Sequence, residues 1–551
     1  LTVTGPTTKT GAGTATIATP FTNTGTVDVQ AGTLTLSGSV NNTGGTLKAG
    51  AGTTLTMSGS LGNFSAGTLT GGTYNVLGTM RLPTTSNIVT NAATIILDGA
   101  GANLYNATSG TTDALAGFTT NAATGSFTVQ NGRNFTTAGG FSNAGTLTVG
   151  SGSTLTLSDS LTNFSAGTLT GGTYNVLGTM RLPTTSNIVT NAATIILDGA
   201  GANLYNATSG TTDALAGFTT NAATGSFTVQ NGRNFTTAGG FSNAGTLTVG
   251  SGSTLTLSDS LTNFSAGTLT GGTYNVLGTM RLPTTSNIVT NAATIILDGA
   301  GANLYNATTG TTDALATLTT NAGVGSMTIQ NSRNFTRSSA FENNGLMVIG
   351  TSSTLTLSGG SGGDGHDGDF SGSGTLSLAG THTFNSTSDV TVSNVAVTSD
   401  TTTINGTYNL AGSSTTLSGG NLTFNAAATL GNLGALSISS GTLALNSGEA
   451  ISAPSLTLSG GTITGSDSLT VTGPTTKTGA GTATIATPFT NTGTVDVQAG
   501  TLTLSGSVNN TGGTLKAGAG TTLTMSGSLG NFSAGTLTGG TYNVLGTMRL
   551  P

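Results

Sequence analysis

The stretch FTNTGTVDVQAGTLTLSG, residues 21–38, decides the fold of this chain. In TVDV (26–29) and in TLTL (33–36) apolar residues alternate with polar ones, so the apolar side chains of each run share one face of a strand. Ala31 and Gly32 separate the two runs, and glycine permits the backbone of a sharp corner. The stretch therefore predicts two short strands, each with one dry face, joined at a tight corner.

Variants of this stretch return along most of the chain, and two long duplications contain no mismatch. Residues 469–551 repeat residues 1–83, and residues 163–308 repeat residues 63–208. The smallest repeat is an apolar residue, one spacer and an Asn, which Gly usually follows two to four places later. Because the anchors recur about every 20 to 30 residues, their spacing indicates a solenoid, propeller or array. The anchor pairs are Phe21 and Asn23, Val40 and Asn42, Leu61 and Asn63, Val89 and Asn91, Phe141 and Asn143, and Leu161 and Asn163.

A single unit of this kind cannot bury its apolar face alone, but stacked units can, because each strand pairs with the equivalent strand above and below. Aligned Asn side chains can then hydrogen-bond along the stack, as they do in cross-β structures. We therefore interpret Asn23, Asn42 and Asn63 as ladder or turn residues. The predicted fold is all-β, a repetitive solenoid in the form of a right-handed parallel β-helix with roughly 20–30 residues per coil.

The repeats also divide the chain into segments and suggest a window cut from a longer array, because the pattern starts at Leu1 and stops midway through a unit. The predicted segments are β-solenoid coils at 1–62, tandem 100-residue solenoid units at 63–362, an acidic glycine-rich loop at 363–370, divergent solenoid coils at 371–468, and a repeat of the opening segment at 469–551.

Composition excludes several classes of function. Charged residues make up 5% of the 551, against about 25% in a typical globular protein, and the net charge is −6. Nucleic-acid binding needs clustered Lys and Arg, so no nucleic-acid partner is expected. No apolar run reaches the roughly 18 residues of a membrane helix. The chain has no Cys, which rules out disulfides and thiolate metal sites but not export.

The motif φ-x-N-x-G-T-β-β-x-x-G-T-L-x-L resembles the repeats of bacterial filamentous-haemagglutinin and autotransporter-like surface proteins, the giant adhesins. FTNTGTVDVQAGTLTLSG, VNNTGGTLKAGAGTTLTMSG and FSNAGTLTVGSGSTLTLS carry the resemblance, which covers nearly the whole chain. It implies an exported, right-handed parallel β-helix that acts as a surface adhesin or stalk. The step from Asn63 to Asn91 is longer than the step from Asn23 to Asn42, so the pattern is not strictly regular and loops or uneven coils are expected.

The stretch SGGDGHDGDF, residues 361–370, is the least repetitive polar segment. Asp364, Asp367 and Asp369 are oxygen ligands on a glycine-rich backbone that could wrap around Ca²⁺. The stretch partly matches the calcium repeat G-G-x-G-x-D-x-U-x, although Asp369 stands where an apolar residue belongs and only one copy is present. The alternative is a solvated loop between solenoid segments. The matching positions are Gly362, Gly363, Gly365 and Asp367.

Two further functions have weaker support in the sequence. Polysaccharide-cleaving enzymes need paired carboxylates, but the candidates here recur in every 100-residue copy, whereas a catalytic cleft seldom comes in identical multiples. They are Asp98, Asp113, Arg81 and Arg133, with Asp198, Asp213, Arg181 and Arg233 in the next copy. We therefore expect no enzyme.

Thr-x-Thr pairs on a flat face could match ice, but the step from Thr33 to Thr54 is longer than the step from Thr54 to Thr68. Such unequal steps predict an uneven lattice, and Thr also suits any exposed strand.

The sequence thus predicts a structural and adhesive extracellular protein that forms a long rod, stalk or fibre on the bacterial surface. Glycans or other host or cell-surface molecules are the expected partners. Because neither end of the chain differs from the middle, either further repeats continue beyond both ends or molecules associate end to end. Beyond a calcium ion at the acidic stretch, no cofactor is expected. The alternative is a self-assembling extracellular filament or sheath without a receptor. A polysaccharide-active enzyme and an ice-binding protein are the remaining hypotheses.

Overall fold

The computed structural model describes residues 1–359, 363–410 and 412–551, and it confirms an all-β solenoid of stacked parallel coils. The coils number about 26 and average about 21 residues each. Within the described ranges there is no helix, and hence none long and apolar enough to cross a membrane. Two compact units make up the chain: 1–263 with 278–285 and 304–312, and 264–277 with 286–303 and 313–551.

The strands are short, and those of the 100-residue copies have the same bounds displaced by 100 residues. Up to residue 156 they are Thr2–Val3, Pro6–Lys9, Thr14–Ile17, Phe21–Asn23, Thr26–Val29, Thr33–Leu36, Val40–Asn41, Thr46–Ala49, Thr54–Met57, Phe64–Ser65, Thr68–Val76, Thr79–Arg81, Thr90–Asp98, Asn103–Tyr105, Thr120–Asn121, Ser126–Gln130, Phe135–Thr136, Ser142–Asn143, Thr146–Val149 and Thr154–Thr156. The strands from Phe164–Ser165 to Thr254–Thr256, and again from Phe264–Ser265 to Ser326–Gln330, repeat those that begin at Phe64–Ser65.

Beyond residue 330 the strands follow the divergent coils and the final duplication. They are Phe335–Arg337, Glu342–Asn343, Leu346–Ile349, Thr354–Leu357, Asp364–His366, Asp369–Leu378, His382–Phe384, Asp389–Val397, Thr401–Ile404, Thr407–Tyr408, Ser414–Leu417, Asn421–Phe424, Thr429–Leu430, Ala435–Ile438, Thr442–Leu445, Ile451–Ala453, Leu456–Leu458, Thr462–Gly465, Leu469–Val471, Thr475–Lys477, Thr482–Ile485, Phe489–Asn491, Thr494–Val497, Thr501–Leu504, Val508–Asn509, Thr514–Ala517, Thr522–Met525, Phe532–Ser533, Thr536–Leu537, Thr541–Val544 and Thr547–Arg549.

Each coil places its strands directly over those of the preceding coil. Thr26–Val29 pairs in parallel with Pro6–Lys9 on one side and with Thr46–Ala49 on the other, so Val27 lies in register with Leu47. Both of these side chains are fully buried, whereas the polar residues between them face outward. The alternation in the sequence is therefore an alternation between a continuous apolar interior and a polar exterior.

The longer spacings between anchors are insertions that disturb the register only locally, as at the shift between Thr70 and Thr73 where Thr68–Val76 pairs with Thr90–Asp98. One insertion is an antiparallel hairpin between Phe64–Ser65 and the start of Thr68–Val76. Another is the loop between Asn103–Tyr105 and Thr120–Asn121, where Tyr105 forms an antiparallel bridge to Asp113. Because the extra residues leave the coil at its corners, the strands on either side still stack, and the expectation of loops is confirmed.

Two glycines of the opening stretch have different physical roles. Gly32 has φ +67°, a left-handed conformation that a side chain disfavours, so it forms the corner predicted from the sequence. Gly25 follows the ladder residue Asn23 and needs no such φ, but a Cβ atom there would lie 2.3 Å from the carbonyl oxygen of Gly5 in the coil below. Close stacking of backbones, rather than a special turn, requires this second glycine.

The interior agrees with the predicted anchors except at one position. Phe21, Val40 and Phe141 are buried, as expected. Val89 is 43% exposed, and its neighbour Ile88 is fully buried instead. The insertion before this coil shifts the turn by one residue, so the anchor there has two spacers before Asn91 rather than one.

Candidate functional surface

Asparagine side chains form buried ladders along the stacking direction, which confirms their predicted role. The Asn91 side-chain amide donates to Asn121 Oδ1 at 3.0 Å, and the Asn121 amide donates to Asn143 Oδ1 at 2.9 Å. All three are fully buried, and each amide also donates to a backbone carbonyl of a neighbouring coil. Each ladder thus ties successive coils together inside a dry corner.

Asn63 was predicted to be either a ladder or a turn residue, and in the structure it is a turn residue. Its Oδ1 accepts a hydrogen bond from the backbone amide of Asn42 at 2.6 Å, and its side-chain amide donates to the carbonyl of Thr70 at 2.9 Å. Asn63 therefore holds the hairpin insertion against the ladder of the preceding coil. Asn121, by contrast, was not among the predicted anchors, because two residues rather than one separate it from the buried Phe118.

The outward faces carry rows of hydroxyl groups that continue from coil to coil. Adjacent members of a row are paired in register although the length of chain between them varies from coil to coil. In the first unit one row consists of Thr26, Thr46, Thr73, Thr94, Ser126, Thr146, Thr173, Thr194, Ser226 and Thr246.

The Thr-x-Thr pairs do not continue as one row. Thr33 and Thr35 lie in register with Thr54 and Thr56, but the next strand of that row is Thr79–Arg81, which places Arg81 beside Thr56. Thr68 and Thr70 belong to a different sheet, where they pair with Thr90 and Ala92. The pairs therefore form no single even lattice, as their unequal steps in the sequence predicted, and ice binding stays a hypothesis.

The carboxylates considered for catalysis are engaged in local hydrogen bonds. Asp98 accepts from the side chains of Gln130 at 3.0 Å and Asn131 at 2.6 Å. Asp113 accepts from the backbone amide of Leu115 at 2.9 Å and shapes the turn of its loop. These contacts describe structural roles, and the absence of enzymatic activity stays a prediction.

The segment 363–370 differs from the solvated loop expected from its composition. Asp364–His366 and the beginning of Asp369–Leu378 are strands, so the segment continues the stack. The alternation of a strand turns Asp364 and His366 inward, where both are buried. In this segment the inward residues are polar, so the alternation of apolar and polar residues that identifies a strand elsewhere is absent from the sequence. The many glycines likewise gave no sign that side chains alternate between the two faces.

The three candidate calcium ligands do not share one face. Asp364 points into the core, whereas Asp367 and Asp369 line an outer cleft of about 410 Å³. Asp367 accepts from the side chain of Asn385 at 2.8 Å, and Asp369 accepts from the backbone amide of Asp389 at 3.1 Å. Gly362, part of the calcium match, lies outside the described residues. Within the described ranges no group of three or more His, Cys, Asp or Glu could hold a metal ion, and calcium binding stays a prediction without geometric support.

Asp364 instead joins a buried polar cluster with both histidines of the chain. His366 Nδ1 accepts from the backbone amide of Asn343 at 3.2 Å, and His366 Nε2 lies 3.4 Å from His382 Nδ1. His382 Nε2 lies 2.9 Å from the carbonyl of Ala379, and Asp364 Oδ2 lies 3.8 Å from His382 Nδ1. The hydrogen bonds of the two rings fit one tautomer, in which each Nε2 donates and each Nδ1 accepts, whereas the separation of 3.8 Å from Asp364 is too long for a hydrogen bond. The sequence indicated neither the burial nor the pairing.

We expect this cluster to weaken the surrounding coils as the pH falls. Burial, helped by the nearby His382, lowers the pKa of His366 to about 3. At a pH between about 6.5 and about 3, the His366 side chain is protonated in the unfolded chain but not in the folded chain. The free energy of unfolding therefore falls by up to about 1.4 kcal/mol for each unit by which the pH is lowered in this range. Burial raises the pKa of Asp364, which offsets the loss in the lower part of this window. Hydrogen exchange of the Asn343 strand, corrected for intrinsic rates, should show about tenfold or greater loss of protection between pH 7 and pH 5.

The matched control is His366→Asn, which keeps a hydrogen-bond acceptor for the Asn343 amide but cannot titrate in this range. Its protection should be lower at pH 7 because packing against Phe370 and Phe384 is lost, yet it should change little between pH 7 and pH 5. An equal loss in both proteins would contradict the assignment of this pH dependence to His366.

No protein-family model, curated protein or solved structure matches this chain. The likeness to filamentous-haemagglutinin and autotransporter-like proteins is supported at the level of a β-helical repeat architecture. Membership in that family stays a prediction.

Proposed function

We propose that this chain is a structural and adhesive repeat protein that belongs to a long rod, stalk or fibre on the outside of a bacterial cell. The observation that carries the proposal is the parallel pairing of successive coils within each unit, which continues through insertions of different length and through a local register shift between Thr70 and Thr73. A stack of this kind gains length by adding coils, since each new coil needs only its nearest neighbour to bury its apolar face.

The side chains support such a scaffold in two ways. Where asparagine ladders occur, the side-chain amide of one coil donates to the side-chain oxygen of another coil, so polar groups at these buried corners pair along the stack. Charged residues are sparse, and Asp28 stacks beside Lys48 at 3.2 Å rather than beside another carboxylate. Repetition would otherwise align like charges, which destabilise paired strands.

The adhesive part of the proposal rests on the outer faces. Rows of Thr and Ser hydroxyls present the same donors and acceptors at every coil step of about 4.8 Å. Single contacts of this kind are weak, but a partner that touches many of them at once binds through their sum. Glycans and other hydroxyl-rich molecules of cell surfaces have the matching chemistry.

Removing one repeat tests the scaffold. A variant that lacks residues 101–200 loses four coils but keeps every kind of coil interface, because the deleted stretch duplicates its flanks. We expect it to remain folded and to be shorter by about 19 Å, four steps of about 4.8 Å. Small-angle X-ray scattering would measure the longest dimension, and circular dichroism would check the β content. A compact particle whose longest dimension does not change would contradict the proposal, and lateral or axial polymers would favour the filament instead.

A further inference from the structure

The same outer cleft occurs in successive 100-residue repeats of the first unit. In the first repeat it has a volume of about 620 Å³ and lies between the loops that follow Thr79–Arg81 and Asn103–Tyr105. In the second repeat the equivalent cleft has a volume of about 440 Å³. Both volumes are within the range of about 300 to 1,000 Å³ that is usual for small-molecule sites. The first cleft is lined chiefly by Pro83, Thr84, Thr85, Ala107, Thr108 and Ser109.

The third repeat carries the same residues apart from Thr309 in place of the serine. Asp159 lines the second cleft and recurs as Asp259, whereas the first repeat has Gly59 at this position. The two clefts thus share one lining with a single difference in charge, and the third repeat carries the sequence for the same cleft.

An arginine and a tyrosine hold the loop beside each cleft. The guanidinium carbon of Arg81 lies 5.0 Å from the centre of the Tyr105 ring, and Arg81 Nη1 donates to the carbonyl of Gly110 within the loop. The corresponding Arg–Tyr distance is 5.1 Å in the second and third repeats. A cation over a ring contributes about 0.5–1 kcal/mol at an exposed site, so the pair holds the loop in place before any ligand arrives. A loop fixed in advance reduces the entropy lost on binding.

The coil register sets the distance between clefts. Thr73 pairs with Thr94, Thr94 with Ser126, Ser126 with Thr146, and Thr146 with Thr173, which makes four coil steps from one repeat to the next. At about 4.8 Å per step, neighbouring clefts are roughly 19 Å apart, at the same corner of the coil.

We propose that these clefts bind sugar residues of a neutral polysaccharide, with one extended chain occupying two or three clefts at once. The lining hydroxyls of Thr84, Thr85 and Thr108 both donate and accept, as sugar hydroxyls do, and Pro83 and Ala107 add apolar surface. Among the described residues that line the first cleft none is charged, and Asp159 gives the second a negative charge, which disfavours acidic polymers. This inference deepens the adhesive role proposed above and rests on it.

The spacing makes a specific demand on ligand length. An oligosaccharide shorter than about 19 Å reaches one cleft, whereas a longer one reaches two. Once the longer one is bound in the first cleft, its other end is held near the second cleft, so the second binding step occurs within the same complex. We expect affinity to rise at least tenfold once the extended length exceeds this threshold, since linked contacts typically gain 10² to 10⁴-fold. Isothermal titration calorimetry with length series of neutral β-linked gluco-, xylo-, manno- and chito-oligosaccharides would measure the step.

Filling the clefts provides the decisive variants. Ala207→Trp places a large ring in the middle cleft only, so the threshold should move to about 38 Å, twice the spacing. Filling all three, with A107W, A207W and A307W together, should abolish binding. A123W and A223W, at a different outward position of the same repeats, form the matched control and should leave the length dependence unchanged.

Two outcomes would overturn the inference: none of these oligosaccharides binds, or the triple variant binds as the unmodified chain does. If the triple variant also retains adhesion to intact cells, the adhesive proposal stands and only the clefts are excluded from it. Loss of cell adhesion with the loss of oligosaccharide binding would support both.

Discussion

Replacing Asn121 with leucine should cost about 3 kcal/mol or more and unfold the coils around it locally. Asn121 accepts from Asn91 at 3.0 Å and donates to Asn143 Oδ1 at 2.9 Å and to the Thr146 carbonyl at 3.1 Å. Leucine leaves these buried partners unsatisfied, and each unsatisfied buried group costs about 1–3 kcal/mol. The apolar side chain gains little in return, because the corner is shaped for a planar amide.

The matched control is Asn134→Leu, because Asn134 is exposed and its Oδ1 accepts a hydrogen bond from the backbone amide of Thr154 at 2.7 Å. It should cost about 1 kcal/mol or less. Hydrogen exchange with mass spectrometry would compare peptides from coils 120–149 with peptides from coils 21–57. Loss of protection only near residue 121 is the expected pattern. Equal effects of the two variants would show that the ladder does not hold the coils together.

The second large effect is expected from Gly145→Ala. A Cβ atom at Gly145 would lie 2.1 Å from the carbonyl oxygen of Gly125 and 2.3 Å from that of Ala122. Both are backbone atoms of the coil below, which cannot move without breaking strand pairs on either side. We expect a cost of about 3 kcal/mol or more, at the upper end of what overpacking causes in well-packed interiors.

Gly139→Ala tests the same substitution in the same coil without the clash. A Cβ there would meet only Asp159 Oδ2, at an ordinary contact distance of 3.7 Å. We expect an effect within about 0.5 kcal/mol, or slight stabilisation through reduced freedom of the unfolded chain. Thermal unfolding of both variants, followed by circular dichroism, would separate them. If G145A unfolds at the temperature of G139A, the coils are not stacked as closely as described.

Much of the fold could be predicted because the same physics acts at every coil. The alternation in TVDV and TLTL predicts which side chains are buried. The repeated Asn predicts a buried corner where side-chain amides pair with one another. The wrong and missed predictions concern single residues next to insertions. Val89 was chosen over Ile88, and Asn121 was missed, because an insertion changes the number of residues that turn the corner, and the sequence pattern does not show which residue absorbs the change.

The outer sites were less accessible to prediction. The cleft at Pro83 and Ser109 brings together two loops that are distant in the sequence, and the Arg81–Tyr105 pair becomes visible only once strands Thr79–Arg81 and Asn103–Tyr105 are paired in register. The acidic stretch was difficult to predict for a different reason. Its composition suggested a solvated loop, whereas strand pairing with a neighbouring coil places Asp364 in the interior.

The duplicated coil interfaces have a genetic consequence. Thr173–Val176 rests on Thr146–Val149 in the same way that Thr73–Val76 rests on Thr46–Ala49, and the residues that follow are identical. Recombination between two copies of the gene segment would therefore join surfaces that already fit. A lineage could lengthen or shorten this protein in one event, with no poorly folded intermediate for selection to remove.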